Sequence, residues 1–140
     1  MKQLFFLKLL LLTFSSFGQT KEQDIQELIS VLQIKSTMQT MVSESIELYK
    51  KQKPFVINQV WENIKNSVDY TVYLNSVSSV FSNNYTQAQI KQLISLTIKA
   101  KPGKQPKFKP AVKEQLYNAS NKFGKKFALA LKEKVANSNR

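Results

Sequence analysis

The 140-residue sequence contains no cysteine and no histidine. Without these side chains the chain cannot build the usual nitrogen and sulfur metal sites, a Ser-His or Cys-His nucleophile pair, or a disulfide bond. We therefore expect a protein with no metal site, no cofactor and no catalytic residue, and a fold without covalent cross-links.

Glycine and proline are scarce, with three and four copies in the whole chain. After residue 18 glycine occurs only at Gly103 and Gly124, so no glycine-rich loop is available to hold a phosphate. Glu44 and Glu47 are spaced to share one side of a helix, but that side is opposite the apolar stripe, which predicts solvated carboxylates and not the acid pair of a hydrolase. The sequence predicts a binding protein and no enzyme.

No long apolar run follows residue 18, so we expect no transmembrane segment there. The N-terminus has a different character: Lys2 precedes an apolar stretch from Leu4 to Phe17, and Ser16 and Gly18 are small residues at positions −3 and −1 of a cleavage site. An anchoring helix would need about 20 apolar residues. The pattern predicts a signal peptide over 1–18, and a secreted or periplasmic product that consists of a single helical domain over 19–140.

Acidic residues are nearly missing from the C-terminal part of the chain. Residues 19–90 hold six lysines and seven acids, whereas residues 91–140 hold thirteen basic residues and only Glu114 and Glu133 as acids. Such a charge asymmetry indicates contact with an anionic partner. The alternative is that the lysines only keep the helices soluble.

Apolar residues recur at spacings of three and four, which predicts an all-α fold, a single compact bundle of five to six amphipathic helices. Ser36 and Gln39 fit a capping box at the start of a helix. Lys53-Pro54 should end that helix, and Pro54 should begin the next one. Its predicted inward stripe is Met38, Met41, Val42, Ser45, Leu48 and Tyr49. The stretch from Tyr70 to Phe81 is ambiguous in propensity, but its apolar spacing favours a helix.

The stretch NYTQAQIKQLISLTIKAKPGK, residues 84–104, predicts a helix with clear ends. Thr86 and Gln89 fit a capping box, and Tyr85 and Ile90 are placed for a hydrophobic staple across it. Pro102-Gly103 should end that helix, and residues 99–110 should form a loop. A last helix is predicted over 111–136, with lysines on the side opposite its apolar residues: Lys122, Lys125, Lys126 and Lys132.

The stretch 81–110 carries an aromatic-threonine start, a polar-aliphatic pair, a leucine and a closing lysine, at Tyr85-Thr86, Gln89-Ile90, Leu93 and Lys104. This pattern resembles the C-terminal signature of a bacterial family of exported helical proteins known as domain of unknown function twenty fifty-nine. Leu96-Thr97 and Lys99-Ala100 stand where that family has an aromatic pair and Ser-Pro. The resemblance implies a helical fold and export, and no particular activity.

The basic C-terminal half supplies the candidate binding residues for an anionic surface: Lys99, Lys101, Lys104, Lys107, Lys109, Lys122, Lys125 and Lys126. Lysine dominates over arginine, which favours point-charge attraction to lipid head groups, acidic polysaccharide or nucleic acid. Phe108 lies among the loop lysines, and we favour a place for it in the bundle over a role in binding. The other hypothesis is a protein–protein interaction module that receives a partner, such as an envelope protein, in an apolar groove between helices.

Overall fold

The computed structural model describes residues 18–100 and 106–138, and within these ranges the protein is an all-α bundle with no strand. Its helices are α1 (Lys21–Val31), α2 (Ile34–Gln52), α3 (Asn58–Asn66), α4 (Thr71–Asn84), α5 (Gln87–Lys99) and α6 (Pro110–Asn137). The predicted fold class is thereby confirmed. The predicted signal peptide and the Pro102-Gly103 helix end lie outside the described residues, apart from Gly18.

Helix α1 packs against α4 and α5, and α4 packs in turn along α6. Helix α2 extends from α1 to α3, and α3 contacts the C-terminal part of α6. Helix α6, with 28 residues, is the longest of the described helices and runs along both halves of the bundle. None of the described helices combines the length and apolar character that crossing a bilayer requires.

The buried side chains form two clusters. The first core joins α1, the first turns of α2, α4, α5 and the start of α6: Ile25, Leu28, Ile29, Met38, Tyr73, Val77, Phe81, Tyr85, Ile90, Leu93, Ile94 and Val112. The second core joins α2, α3 and the end of α6: Val42, Ile46, Val56, Trp61, Ile64, Leu131 and Val135. Tyr70 and Phe123 contact both cores, and their stacked rings, with centroids 5.7 Å apart, connect the two.

The capping box predicted at the start of α5 is confirmed. The Gln89 N–H donates to the Thr86 hydroxyl, and the Gln89 side chain accepts from the Thr86 N–H at 2.9 Å. Tyr85 and Ile90 are both buried in the first core, as the staple requires. An equivalent box at Thr20 and Gln23, which the sequence reasoning missed, begins α1.

The capping box predicted at Ser36 is wrong. Helix α2 already begins at Ile34, directly after Gln33, whose φ of 55° places it in the left-handed region. Ser36 therefore lies inside the first turn, where its hydroxyl donates to the Gln33 carbonyl oxygen at 3.0 Å. A two-residue turn at Leu32 and Gln33 thus connects α1 to α2.

The inward stripe predicted for α2 is partly wrong. Met38, Val42 and Ile46 are buried, whereas Met41 and Leu48 are 53% and 63% exposed. Ser45 is exposed as well, and Tyr49 is half-buried. The helix is rotated relative to the prediction because Met38 packs with α1 in the first core, and Val42 and Ile46 pack with α3 and α6 in the second.

Helix α2 ends beside Lys53-Pro54 as predicted, but Pro54 does not begin the next helix. Helix α3 starts at Asn58, and Trp61 Nε1 donates to the Val56 carbonyl oxygen at 3.1 Å. This bond and the burial of Val56 hold the connection as a turn. The ambiguous stretch is helical from Thr71 to Phe81, as part of α4, and Tyr70 directly precedes that helix. The last helix extends one residue past each predicted end.

Candidate anion-binding site

The predicted loop lysines do not form one site in the described residues. Lys99 is exposed at the end of α5 and Lys107 is exposed before α6, whereas Lys101 and Lys104 lie outside the described residues. Lys109 has a structural contact: its ammonium donates to the Asn84 carbonyl oxygen at 2.7 Å.

The same ammonium lies 4.6 Å from the centre of the Tyr85 ring, a cation–π contact. Lys109 therefore helps to close the C-terminus of α4, where unpaired carbonyl groups favour a cation. Phe108 packs against the first core, with its ring centroid 5.8 Å from that of Phe81, as expected for a residue of the bundle.

Helix α6 separates the other three predicted lysines. All three are exposed, but only Lys122 and Lys126 line a cleft beside Phe123 and Phe127, and Lys125 takes no part in its lining. The expectation that these lysines lie opposite the apolar residues is thus wrong for Lys122 and Lys126. Each precedes a phenylalanine by one residue, which turns it about 100° from the apolar centre and leaves it at the edge of the apolar face.

The cleft has a volume of about 400 Å³ and lies between α3, α4 and α6. We call it the α6 cleft. Its apolar wall consists of Ile64, Val68, Val72, Phe123, Phe127, Ala130 and Leu131. Its polar lining consists of Ser67, Asp69, Tyr73, Ser76, Lys122, Lys126 and Lys134, and Ala119 completes it. Lys134 was not among the predicted binding residues, and neither was Asp69.

Aromatic packing fixes the wall of the α6 cleft. Phe123 and Phe127, one turn apart on α6, are stacked with centroids 6.5 Å apart. The Phe123 ring lies 5.4 Å from that of Tyr73, whose hydroxyl is 3.2 Å from the Ser120 hydroxyl. These contacts join α4 to α6, so the wall is part of the rigid packing and not a loose surface.

The charge in the α6 cleft is predominantly positive. Hydrogen bonds from the Thr71 side chain and backbone N–H lower the pKa of Asp69 below its ordinary value of 3.8, and the positive charge of Lys126 acts in the same direction. Asp69 is therefore a carboxylate at neutral pH. Three lysines face this one acid, and Lys134 also donates to the Ser67 hydroxyl.

Acidic side chains are sparse in the described residues outside the α6 cleft. No group of three potential metal ligands occurs within residues 18–100 and 106–138. Glu44 and Glu47 are both exposed, and Glu47 pairs with Lys50 at 4.0 Å on the outer side of α2. Asp24 is the buried acid among the described residues, and its carboxylate accepts a hydrogen bond from the Gln87 side-chain amide beside the first core.

Comparisons of the chain with family models, with curated proteins and with solved structures found no match. Membership of the helical family that residues 81–110 resemble therefore stays a prediction. One sequence signal could have indicated the α6 cleft: Lys122-Phe123 and Lys126-Phe127 repeat a lysine-aromatic pair at a spacing of four.

Proposed function

We propose that the protein is exported and binds an anionic surface of the cell envelope or its exterior through its basic C-terminal half, without catalysing a reaction. One observation carries the proposal: in the described part of α6, no lysine lies within 4 Å of a carboxylate, and all of them are exposed. A helix whose lysines served only intramolecular pairing would place acids beside them.

The charge distribution supports the same proposal. Residues 19–90 are close to neutral, and residues 91–140 carry a net charge of about +11. Exposed lysines attract anions as point charges, so the attraction should depend on charge density and should weaken with salt. Lipid head groups, acidic polysaccharide and nucleic acid all meet this description.

Vesicle binding tests the surface proposal. The purified protein should cosediment with vesicles that contain phosphatidylglycerol, and not with pure phosphatidylcholine vesicles, and the bound fraction should fall steeply between about 50 and 200 mM salt. Retention on a heparin column tests binding to acidic polysaccharide. Equal binding to neutral and anionic vesicles, or retention that salt does not change, contradicts the proposal.

Charge-matched variants locate the binding half. The double variant Lys125→Gln/Lys132→Gln removes two exposed charges from α6, and Lys35→Gln/Lys65→Gln removes two from the neutral half. The first variant should weaken vesicle binding markedly more than the second. Equal weakening by both would mean that net charge alone matters and that the basic half is not the binding surface.

Export has its own test. Protein recovered from outside the cytoplasm should begin at Gln19, which mass spectrometry of the intact chain measures directly. Recovery of the uncut chain only from the cytoplasm contradicts export.

The second candidate function is a protein–protein interaction module, and the exposure of Met41 and Leu48 on one side of α2 favours it. Met38 and Trp61 are 6% and 2% exposed, so their substitution would test the core and not a partner. Capture of partners from envelope fractions at low and high salt separates the two functions. A complex that survives high salt and is lost in Met41→Glu would favour the module.

A further inference from the structure

We propose that the α6 cleft is a binding site for a single-chain anionic amphiphile, a long-chain carboxylate. Its alkyl chain would lie along the apolar wall, and its carboxylate would lie between the ammonium groups of Lys122 and Lys126. Such a site is distinct from an anionic surface that the exposed lysines attract, because it needs apolar contact as well as charge.

The size and form of the cleft fit a small amphiphile. Its volume of about 400 Å³ falls within the range of about 300 to 1,000 Å³ that small-molecule sites occupy. From the point midway between Lys122 and Lys126 to Lys134, the lining follows α6 for about ten residues, about 15 Å at 1.5 Å per residue, which matches the length of an extended dodecyl chain. A partner helix would need a longer groove.

The apolar wall is exposed where the ligand would lie. Val72 lines the cleft from α4 and is 61% exposed, and Phe127 lines it from α6 and is half-buried. Both lie in a wall whose backbone is fixed by the packing of Tyr73 on Phe123. Covering these surfaces with an alkyl chain removes apolar area from water, which is the main source of affinity for such ligands.

The charges select an anionic head and limit its number of charges. Lys122 and Lys126 are one helical turn apart, close enough for one carboxylate to contact both. Asp69 lies in the same lining, where the charge of Lys126 acts on it, and it would repel the further charges of a polyanion. The arrangement thus favours one negative charge over several.

Three matched compounds test the proposal by calorimetry: dodecanoate, 1-dodecanol and acetate, each below the concentration at which it aggregates. Dodecanoate should bind with a stoichiometry of one, dodecanol should bind about five- to tenfold more weakly, and acetate should give no measurable heat. Amide NMR shifts on addition of dodecanoate should concentrate at residues 64–76 and 119–134. Equal affinity for the alcohol, or shifts centred elsewhere, would overturn the assignment.

Variants separate the head contact from general charge. Lys122→Gln/Lys126→Gln should weaken dodecanoate binding about five- to tenfold and leave dodecanol binding unchanged. The control Lys125→Gln/Lys132→Gln removes the same charge from the same helix outside the cleft and should leave both affinities unchanged. If the control weakens dodecanoate binding as much, the cleft lysines have no special role and the proposal fails.

The apolar contact has an independent variant. Val72→Asp changes a mostly exposed side chain, so the fold should be preserved, which circular dichroism verifies. It should lower the affinity for both dodecanoate and dodecanol. The two proposals fail separately: loss of vesicle binding with dodecanoate binding intact removes only the surface function, and the reverse result removes only the ligand in the cleft.

Discussion

The buried carboxylate of Asp24 accepts a hydrogen bond from the side-chain amide of Gln87 at 2.7 Å and thereby joins α1 to the start of α5. Asp24 is 1% exposed, and its other oxygen has no hydrogen-bond partner among the described residues. The Lys91 ammonium, itself half exposed, lies 3.9 Å from the bonded oxygen. A buried acid held by so few partners makes this contact sensitive to substitution.

Loss of the Gln87 amide should therefore destabilise the fold. Gln87→Ala leaves Asp24 buried without its direct donor, and the free energy of unfolding should fall by about 1 to 3 kcal/mol. Urea titration at neutral pH measures the change. Gln92→Ala, at an exposed position of the same helix, should change it by less than about 0.5 kcal/mol. Equal effects of the two variants would show that the Asp24 contact adds nothing.

The hydroxyl of buried Tyr85 accepts a hydrogen bond from the Lys109 backbone N–H at 3.2 Å, which fixes the entry to α6. Tyr85→Phe should lower the free energy of unfolding by about 1 kcal/mol because this N–H loses its partner. Tyr117, which is 66% exposed, offers the matched change. Tyr117→Phe should be neutral in the same thermal or chemical unfolding experiment, and a neutral Tyr85→Phe would contradict the structure.

The helix caps distinguish the structure from the sequence pattern. Thr20→Ala and Thr86→Ala each remove an observed cap and should each cost about 1 kcal/mol of stability. Ser36→Ala removes a hydroxyl that the sequence pattern places at a cap but the structure places inside α2. This variant should stay within about 0.5 kcal/mol of the parent. Unfolding in urea measures all three, and a loss at Ser36 equal to that at Thr86 would favour the sequence pattern.

Asp69 gives a prediction for acid pH. Its pKa in the folded chain is lowered below 3.8, so Asp69 holds its proton less tightly when folded than when unfolded. It therefore stabilises the fold above pH 3.8, and this contribution is lost as the pH falls through the lower folded pKa. Asp69→Ala should be less stable than the parent at pH 7, and the difference should vanish in strong acid.

The Thr71 hydroxyl is the largest cause of the lowered pKa of Asp69. Thr71→Val removes this donor and keeps the shape of the side chain, so it should reduce the pH dependence that Asp69→Ala abolishes. Thermal unfolding over a series of pH values measures both variants. An Asp69→Ala difference that stays constant down to strong acid would contradict the lowered pKa.

Because they depend on local interactions, many features of the fold could be predicted from the sequence. The cap at Thr86 involves groups three residues apart, and the end of α2 before Pro54 depends on adjacent residues, so each is determined within one turn of chain. The absence of histidine and cysteine, and the lysines concentrated after residue 90, are likewise properties of the sequence alone. These features hold whichever way the helices pack.

Only the tertiary structure decided which residues of α2 are buried and where the lysines meet. Met38 and Met41 both belong to helical stripes, and the packing of α1 and α3 determined that Met38 is buried and Met41 exposed. The α6 cleft joins Val72 of α4 to Lys122 and Lys134 of α6, and no short pattern connects residues so far apart in the chain. Helical periodicity restricts which side chains can share a face, but the face that is buried and the cavity that remains depend on the neighbouring helices.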